Sequence, residues 1–221
     1  METQNNQEPL KTQTTVITAA HIEQSYPVHL RIGEYHKLLE LLEDKPKKVA
    51  TFEKVSLEKW SMIPDDAKKL LEKNGIEETD LPKMIDELKT PKRSTETSAG
   101  YDFFMPFDAV IEKRSCLTIP TGIRVKMKPN YVLMVFPRSS LGFKYKSTLS
   151  NTVGIIDSDY YYADNDGHII MKILNNSDEK DMVLKKGDKF CQGIFVEYGV
   201  TENDDEDGHQ KRTGGMGSTG N

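Results

Sequence analysis

Apolar residues change their spacing along the chain, and the change predicts a helical first part and a strand-rich second part. Ile32, Tyr35, Leu39 and Leu42 recur at near-helical spacing, which predicts a short amphipathic helix over residues 33–43. Packing against a core is the commoner use of such an apolar stripe, and binding of a partner protein is the alternative.

The next part of the chain predicts one strand followed by two short helices. Residues 48–56 alternate between apolar and polar and indicate a strand. Pro64 and Gly75 are typical start and stop signals for a helix between them, and residues 81–88 predict a second one. Trp60, the only tryptophan, lies between strand and helix, so we expect it to pack this helical piece against the core.

From about residue 97 the pattern becomes that of a β domain. Short apolar runs alternate with turn signals rich in Pro, Gly and Asn, which is typical of an antiparallel sandwich or barrel. The predicted strands are residues 116–119, 122–127, 131–136, 169–173, 182–184 and 190–196.

Composition limits the classes of function. The chain has 221 residues, of which 36% are hydrophobic, and this suits one globular domain with some extra length. A net charge of −5 argues against a general binder of nucleic acid or of membrane surfaces. The chain has neither an apolar run long enough for a membrane span nor a signal-peptide pattern, so we expect a cytoplasmic protein. Cys116 and Cys191 have no CxxC spacing and are expected to be reduced, partly buried thiols.

Residues 151–160 are the first candidate for chemistry. A glycine-containing turn leads into Ile155 and Ile156, followed by Asp157 and Asp159. If the apolar pair begins a buried strand, Asp157 is carried partly out of water, and its pKa becomes suited to a general base. The alternative is a hairpin with acids in its turn.

Three more segments are each ambiguous alone. Residues 137–142 offer Arg138, Ser139 and Ser140 for an anionic oxygen, or form a helix N-terminus capped by one of the serines. Residues 214–220 are rich in glycine and either approach phosphates closely or form a loose tail. Residues 187–192 are a turn and a strand that place Gln192 toward the same site.

Together and in this order, five segments resemble the five ordered motifs of the trimeric dUTPase family. The segments are residues 99–103, 137–140, 151–160, 187–192 and 212–220. The resemblance covers roughly residues 97–220, and the strand at 48–56 is the candidate first strand. Residues 57–90 resemble a helical insertion of the kind seen in some bacterial and phage members.

The resemblance implies a mainly β fold, a distorted jelly-roll (β-clip) barrel with a short helical N-terminal extension and insertion. It divides the chain into an extension at residues 1–47, a β domain at 48–200 and a mobile C-terminal arm at 201–221. It also implies a homotrimer with active sites at subunit interfaces that uses Mg²⁺ to hydrolyse dUTP to dUMP and pyrophosphate. This activity limits uracil incorporation into DNA and supplies dUMP for thymidylate synthesis.

The resemblance also implies residue roles. Asp157 would orient and deprotonate the attacking water, and Asp102 would hold Mg²⁺ through water. Arg138 and Gln192 would act on the phosphate chain. The substrate-binding residues would be Ser139, Ser140, Asn151, Gly154, Tyr160, Arg212, Gly215, Met216, Gly217 and Ser218. Within that set Asn151 and the Gly154 backbone would pair with uracil, Tyr160 would exclude a 2′-hydroxyl, and the last five would close over the nucleotide.

Some positions depart from the family pattern. Met216 replaces the aromatic residue that stacks on uracil, and Lys185 with Lys186 replaces the usual basic residue near the strand turn. A longer acidic turn follows Tyr160 and contains His168, which is disfavoured as a metal ligand without a second histidine nearby.

Two other functions are alternatives to a dUTP diphosphatase. One is a dCTP deaminase, but residues 151–160 contain no glutamate to act as its base. The other is a trimeric regulatory protein that binds dUTP with weak or no turnover, with residues 1–47 as a possible surface for a protein partner.

Overall fold

The computed structural model describes residues 46–204 and Gly214. Contacts divide the chain into two units, Met1–Lys47 and Lys48–Asn221, and the second is described below. The helix predicted over residues 33–43, the suggested partner-binding surface and most of the C-terminal arm lie outside the described residues. Within the described residues, the structure has no helix with the length and apolar character needed to cross a membrane.

A strand and three helices form the first part of this unit, as the sequence predicted except for the short first helix. Their bounds are β1 Ala50–Lys54, α1 Leu57–Ser61, α2 Asp65–Lys73 and α3 Leu81–Glu87, with a 3₁₀ turn at Glu78–Asp80. The Ser56 hydroxyl caps α1 by accepting a hydrogen bond from the Lys59 N–H at 3.3 Å. Trp60 is fully buried, which confirms the prediction that it packs the helical piece against the core.

The rest of the unit is a mainly β, jelly-roll-like domain, which confirms the predicted fold class. All strand pairs are antiparallel. The largest sheet has the order β2-β3-β12-β7-β9, and smaller sheets are β5-β10-β8, β1-β6 and β11-β4. The strands are β2 Lys92–Arg93, β3 Tyr101–Phe104, β4 Ala109–Ile111, β5 Ser115–Pro120, β6 Ile123–Met127, β7 Tyr131–Pro137, β8 Thr148–Leu149, β9 Gly154–Ile156, β10 Ile170–Asn175, β11 Met182–Leu184 and β12 Lys189–Glu197.

The core lies between these sheets and is built by alternation along the strands. In β7, Tyr131, Leu133 and Val135 are buried while the residues between them are half-buried. Cys191 of β12 is also fully buried, and burial raises the pKa of its thiol. Cys116 is free but exposed, because it lies near the start of β5 before that strand enters the core, so the expectation of a partly buried thiol was wrong there.

Candidate active site

A cavity of about 600 Å³ beside β9 brings together four of the residues predicted to act on the nucleotide. Asn151, Gly154, Asp157 and Tyr160 line it from the segment that contains β9 and the turn after it. Most of the other lining residues are apolar and lie in or next to neighbouring strands, namely Val135, Leu149, Ile169, Ile170 and Met171. A mostly apolar lining with a few polar groups suits a nucleobase and its sugar.

A tight hairpin turn positions this segment. Leu149 and Thr152 form an isolated bridge, and Thr152 adopts a positive φ of 66° that closes the turn. Gly154 then pairs with Val135 of β7. A Cβ on Gly154 would lie 3.3 Å from the Val135 Cβ, which is a tight contact, so glycine keeps β9 close to β7 at this end.

Asp157 is exposed in the single chain, and this contradicts the prediction that a buried strand carries it partly out of water. The cause is the position of β9, which is the edge strand of the five-stranded sheet. Ile155 is 52% exposed for the same reason. Asp157 therefore lies next to a sheet edge, exposed in the single chain and lining the cavity.

The Tyr160 side chain lines the cavity, and its hydroxyl is fixed by hydrogen bonds within the protein. Tyr160 lies in a 3₁₀ turn, Ser158–Tyr162, and is buried. Its hydroxyl donates to the His168 carbonyl oxygen at 2.9 Å and accepts from the Asn165 side-chain amide at 2.8 Å. Because both bonds fix the phenol end, the ring has a defined position in the cavity wall.

The predicted anion-binding segment forms the start of a helix. Helix α4, Ser139–Tyr145, follows β7, and Arg138 occupies its N-cap position. The helix confirms that part of the alternative interpretation, but capping by Ser139 or Ser140 is wrong, since Arg138 precedes both serines at the cap and no side chain bonds there. The Arg138 N–H donates to the Phe190 carbonyl oxygen of β12 at 3.0 Å, which fixes the start of the helix on the sheet.

A second cavity, of about 470 Å³, lies beside this helix and is rich in cationic groups. Arg138, Ser140 and Lys144 line it on one side, and Gly187 and Lys189 on the other. The lining has three cations and one carboxylate, Asp188, and Arg138 and Lys189 also pair with the nearby Asp102. The remaining positive excess favours an anion there.

Asp102 lies beside Arg138 as the centre of a buried charge cluster. Its side chain is only 2% exposed, and Arg138 binds one carboxylate oxygen. The other oxygen accepts hydrogen bonds from the Lys189 ammonium at 2.9 Å and the Ser94 hydroxyl at 2.6 Å. Burial disfavours the charge, but the bonds from Ser94 and Lys189 and the charge of Arg138 outweigh it, so the pKa of Asp102 lies below its ordinary value of 3.8.

Gln192 lies directly across the sheet from this cluster. It pairs with Asp102 of β3 on one side and with Phe136 of β7 on the other. Its side-chain oxygen would lie 2.9 Å from a Cβ on Gly100, so the glycine in the Ala99-Gly100 pair leaves the space that the Gln192 amide occupies. The structure thus brings Asp102, Arg138 and Gln192 to one end of the largest sheet.

Ser94 and Lys189 are members of this cluster that the sequence analysis did not select. Lys189 also donates to the Ser94 hydroxyl at 2.6 Å, so Ser94, Lys189 and Asp102 form a closed set of hydrogen bonds. Lys185 and Lys186 instead pair with Asp108 and Glu87, away from Asp102, and their correspondence to the usual basic residue of the family stays a prediction. Lys189 could have been selected from the sequence, because it lies inside the segment 187–192 that was already singled out.

The donor set fits a metal ion that arrives with a nucleotide better than a protein-bound one. Among residues 46–204, no group of three His, Cys, Asp or Glu side chains is placed to hold a metal ion. Asp102 is a single carboxylate already paired with two cations, which suits contact with a hydrated ion through water. His168 uses Nε2 to accept a hydrogen bond from the Gly122 N–H at 2.9 Å.

The two cavities are separate in the single chain. Asp157 and Tyr160 line the first and Arg138 and Lys189 line the second, and among the described residues none lines both. The remaining predicted residues, Arg212, Gly215, Met216, Gly217 and Ser218, lie outside the described part of the chain, and their roles stay predictions.

A sequence model described as dUTPase matches residues 86–220, more than half of the chain. The chain belongs to the dUTPase family. The matched range contains all five segments singled out above, and family membership is confirmed. Helices α1 and α2 and most of α3 lie before the matched range.

Curated members of the dUTPase family are similar over the same region. The deoxyuridine 5′-triphosphate nucleotidohydrolase of Lactococcus lactis is 41% identical over 134 residues, which cover 60% of this chain and 89% of that protein. The protein of the same name from Desulfitobacterium hafniense is 36% identical over 140 residues, covering 60% and 87%. Among solved structures, the dUTPase from Streptococcus mutans is 36% identical and covers 53% of this chain and 91% of its own, with a TM-score of 0.49.

Proposed function

We propose that this chain hydrolyses dUTP to dUMP and pyrophosphate, which limits uracil in DNA and supplies dUMP for thymidylate synthesis. The observation that carries the proposal is the cavity beside β9, where Asn151, Gly154, Asp157 and Tyr160 meet in a chain 41% identical to a deoxyuridine triphosphate nucleotidohydrolase. Such relatives favour an enzyme over a regulatory protein without turnover.

The cavity has the groups needed to recognise deoxyuridine. The Asn151 amide and the Gly154 backbone line the cavity and offer donors and acceptors that suit the uracil edge. The fixed Tyr160 ring would lie beneath the sugar, where a 2′-hydroxyl would clash with it. A rigid wall discriminates by shape, because relieving the clash requires breaking the hydroxyl bonds of Tyr160.

Asp157 is the proposed general base. It lines the cavity and is exposed in the single chain, so its carboxylate can orient a water molecule toward the α-phosphorus and accept its proton. Arg138, Ser139, Ser140 and Gln192 would hold the phosphate chain, since catalysis of phosphoryl transfer depends mainly on positioning and charge stabilisation. Mg²⁺ bound to the phosphates supplies further charge neutralisation, and Asp102 is the residue proposed to hold it through water.

The active site is proposed to form between subunits of a homotrimer. Asp157 and Arg138 line separate cavities in one chain, so a neighbouring subunit is needed to place base and phosphate-binding groups on one substrate. Apolar side chains are exposed at both cavities in the single chain, since Ile155 of the first is 52% exposed and Val183 of the second 51%. Phe143 of α4 is 93% exposed. Burial of such residues in subunit contacts would stabilise the assembly.

The direct test is pyrophosphate release from the purified full chain with dUTP, UTP, dCTP and dTTP, each with Mg²⁺ and with a chelator. We expect release from dUTP alone, with activity lost in chelator. Release from dCTP, or tight dUTP binding without release, would contradict the proposal.

Mixed trimers test the shared site. We expect Asp157→Asn and Arg138→Ala to be nearly inactive alone, because each lacks one half of the site. Co-expressed in equal amounts, they should regain about a quarter of wild-type activity, since a site between two different chains draws one intact residue from each. Mixing after purification, without subunit exchange, is the control. If both residues act from one chain, co-expression restores nothing.

Two other expectations stay predictions. A cytoplasmic location is consistent with a reaction on the nucleotide pool. A protein partner for residues 1–47 is a separate hypothesis, which pull-down with and without that segment would test.

A further inference from the structure

We propose that the helical segment between β1 and β2, residues 57–88, positions Tyr160 through His168 and so sets discrimination against ribonucleotides. This inference rests on the proposed function, because it concerns how the same cavity selects its sugar. The helical segment lies mostly before residue 86, where the family match begins, so it is a feature of this chain beyond the matched domain.

The first link joins the cavity to His168. The Tyr160 hydroxyl donates to the His168 carbonyl oxygen, and Asn165 donates both to that hydroxyl and, at 3.3 Å, to the same carbonyl. The position of the Tyr160 ring therefore depends on the position of the backbone at residue 168.

The second link joins His168 to the helical segment. The imidazole is buried and lies against Trp60 of α1, with ring centroids 6.1 Å apart. Burial lowers the pKa of His168 to about 4, against the opposing effects of a hydrogen bond with the Lys59 backbone and the charge of Asp166. The ring is thus neutral at pH 7, which agrees with Nε2 accepting from the Gly122 N–H.

At Gly122 the helical segment packs closely against the backbone just before β6. Gly122 has a φ of +69°, and a Cβ there would lie 2.2 Å from the Leu88 Cδ1 and 3.1 Å from the Trp60 ring. A side chain at this positive φ would be strained, would displace the Leu88 methyl group and would crowd the Trp60 ring. The contact between Trp60, Leu88 and Gly122 therefore fixes the segment directly over the N–H that binds His168.

A third link holds the loop before His168 from the other side. The Asp166 carboxylate accepts from the N–H of Ser56, the capping residue of α1, at 2.8 Å. It also pairs with Arg124, which in turn binds Glu53 of β1 at 3.0 Å. Residues 163–168 thus lie between the start of the helical segment and the cavity, and they transmit a displacement of α1 to Tyr160.

The consequence is a specific selectivity change. If α1 shifts or loosens, the His168 backbone moves, the Tyr160 ring loses its fixed position, and the cavity admits a 2′-hydroxyl. A segment that served stability alone would lower the active fraction equally for both substrates, and the ratio of their kcat/KM values would not change.

The test compares kcat/KM for dUTP with that for UTP in Trp60→Leu, His168→Leu and Asp166→Asn. We expect the ratio to fall about tenfold in the first two and less in the third, a size typical of loosened steric discrimination. His168→Gln keeps an oxygen that can accept from the Gly122 N–H, so it should retain more of the ratio than His168→Leu. Ile111→Ala, a buried change in β4 that lines neither cavity, is the control for lost stability, and its ratio should stay at the wild-type value.

The inference would be overturned if the ratio of kcat/KM for dUTP to that for UTP stayed at the wild-type value in all variants, while their loss of stability was similar to that of Ile111→Ala. Binding of dUMP against UMP by calorimetry gives a second readout that needs no turnover and that remains usable where Trp60→Leu folds poorly. If the wild-type protein fails to hydrolyse dUTP, the proposed function fails, while a dUMP preference that is weakened in His168→Leu would still support the link from helix to Tyr160.

Discussion

Replacing Asp157 by Asn is expected to lower kcat for dUTP by about 10²–10⁴-fold, the range for loss of a general base. The amide keeps the size and polarity of the side chain but cannot accept the water proton at neutral pH. Asp157 is exposed at an edge strand, so the change should leave the fold intact. Single-turnover pyrophosphate release measures the effect, and calorimetry with a non-hydrolysable dUTP analogue should show nearly unchanged affinity.

Asp159→Asn is the matched control. Asp159 is an exposed carboxylate two residues further along the same turn, and it does not line the cavity. We expect it to retain most of the wild-type kcat. Wild-type turnover in Asp157→Asn, or an equal loss in both variants, would show that Asp157 is not the base.

Local sequence pattern was sufficient for the longer strands and insufficient for most of the short ones. The six predicted strands match β5, β6, β7, β10, β11 and β12 within two residues at each end. Five of them have at least five residues, which is enough for an apolar pattern to be recognised, whereas β11 has three and was predicted from the turn signals on either side of it. Strands β2, β4 and β8 have only two or three residues each, too few for alternation to be recognised. Their backbone pairing is decided by neighbours distant in sequence.

In the candidate site, too, local sequence predicts some residues, and pairing between distant segments decides others. The ordered motifs are local in sequence, so they were sufficient to predict roles for Asp102, Arg138, Gln192 and the segment around Asp157. Ser94 and Lys189 were not selected, because pairing of β2, β3 and β12 places them beside Asp102 and nothing local marks that pairing.

The exposure of Asp157 depends on sheet order. The apolar pair Ile155-Ile156 is typical of a buried strand in any sequence window, but β9 forms the sheet edge in the single chain. Apolar residues at such an edge are consistent with burial by another subunit, which local pattern cannot distinguish from burial in the core of the same chain.

Replacing Asp102 by Asn is expected to alter both stability and metal dependence. The carboxylate lies between Arg138 and Lys189, and its removal leaves two cations close together in a largely buried cluster. Because both cations reach solvent, we expect the free energy of unfolding at pH 7 to fall by about 3 kcal/mol or less. Half-maximal activity should require more Mg²⁺, since the proposed water-mediated contact loses its charge.

The pH dependence separates the charge from the shape of the side chain. The pKa of Asp102 is lowered in the folded protein, so its contribution to stability is fully present above the unfolded pKa and is lost as the pH falls through the folded value. Denaturant unfolding should therefore show a gap between wild type and Asp102→Asn that is constant at pH 5–7 and narrows below about pH 4.

Asp108→Asn gives the comparison, since Asp108 also pairs with a lysine but lies on the surface. The free energy of unfolding should change by less than about 1 kcal/mol in that variant, and its Mg²⁺ requirement should not change. A gap for Asp102→Asn that persists unchanged to pH 3 would mean that packing, not the buried charge, sets its contribution. A normal Mg²⁺ requirement would remove Asp102 from the proposed metal contact, because the same carboxylate is expected to be responsible for both effects.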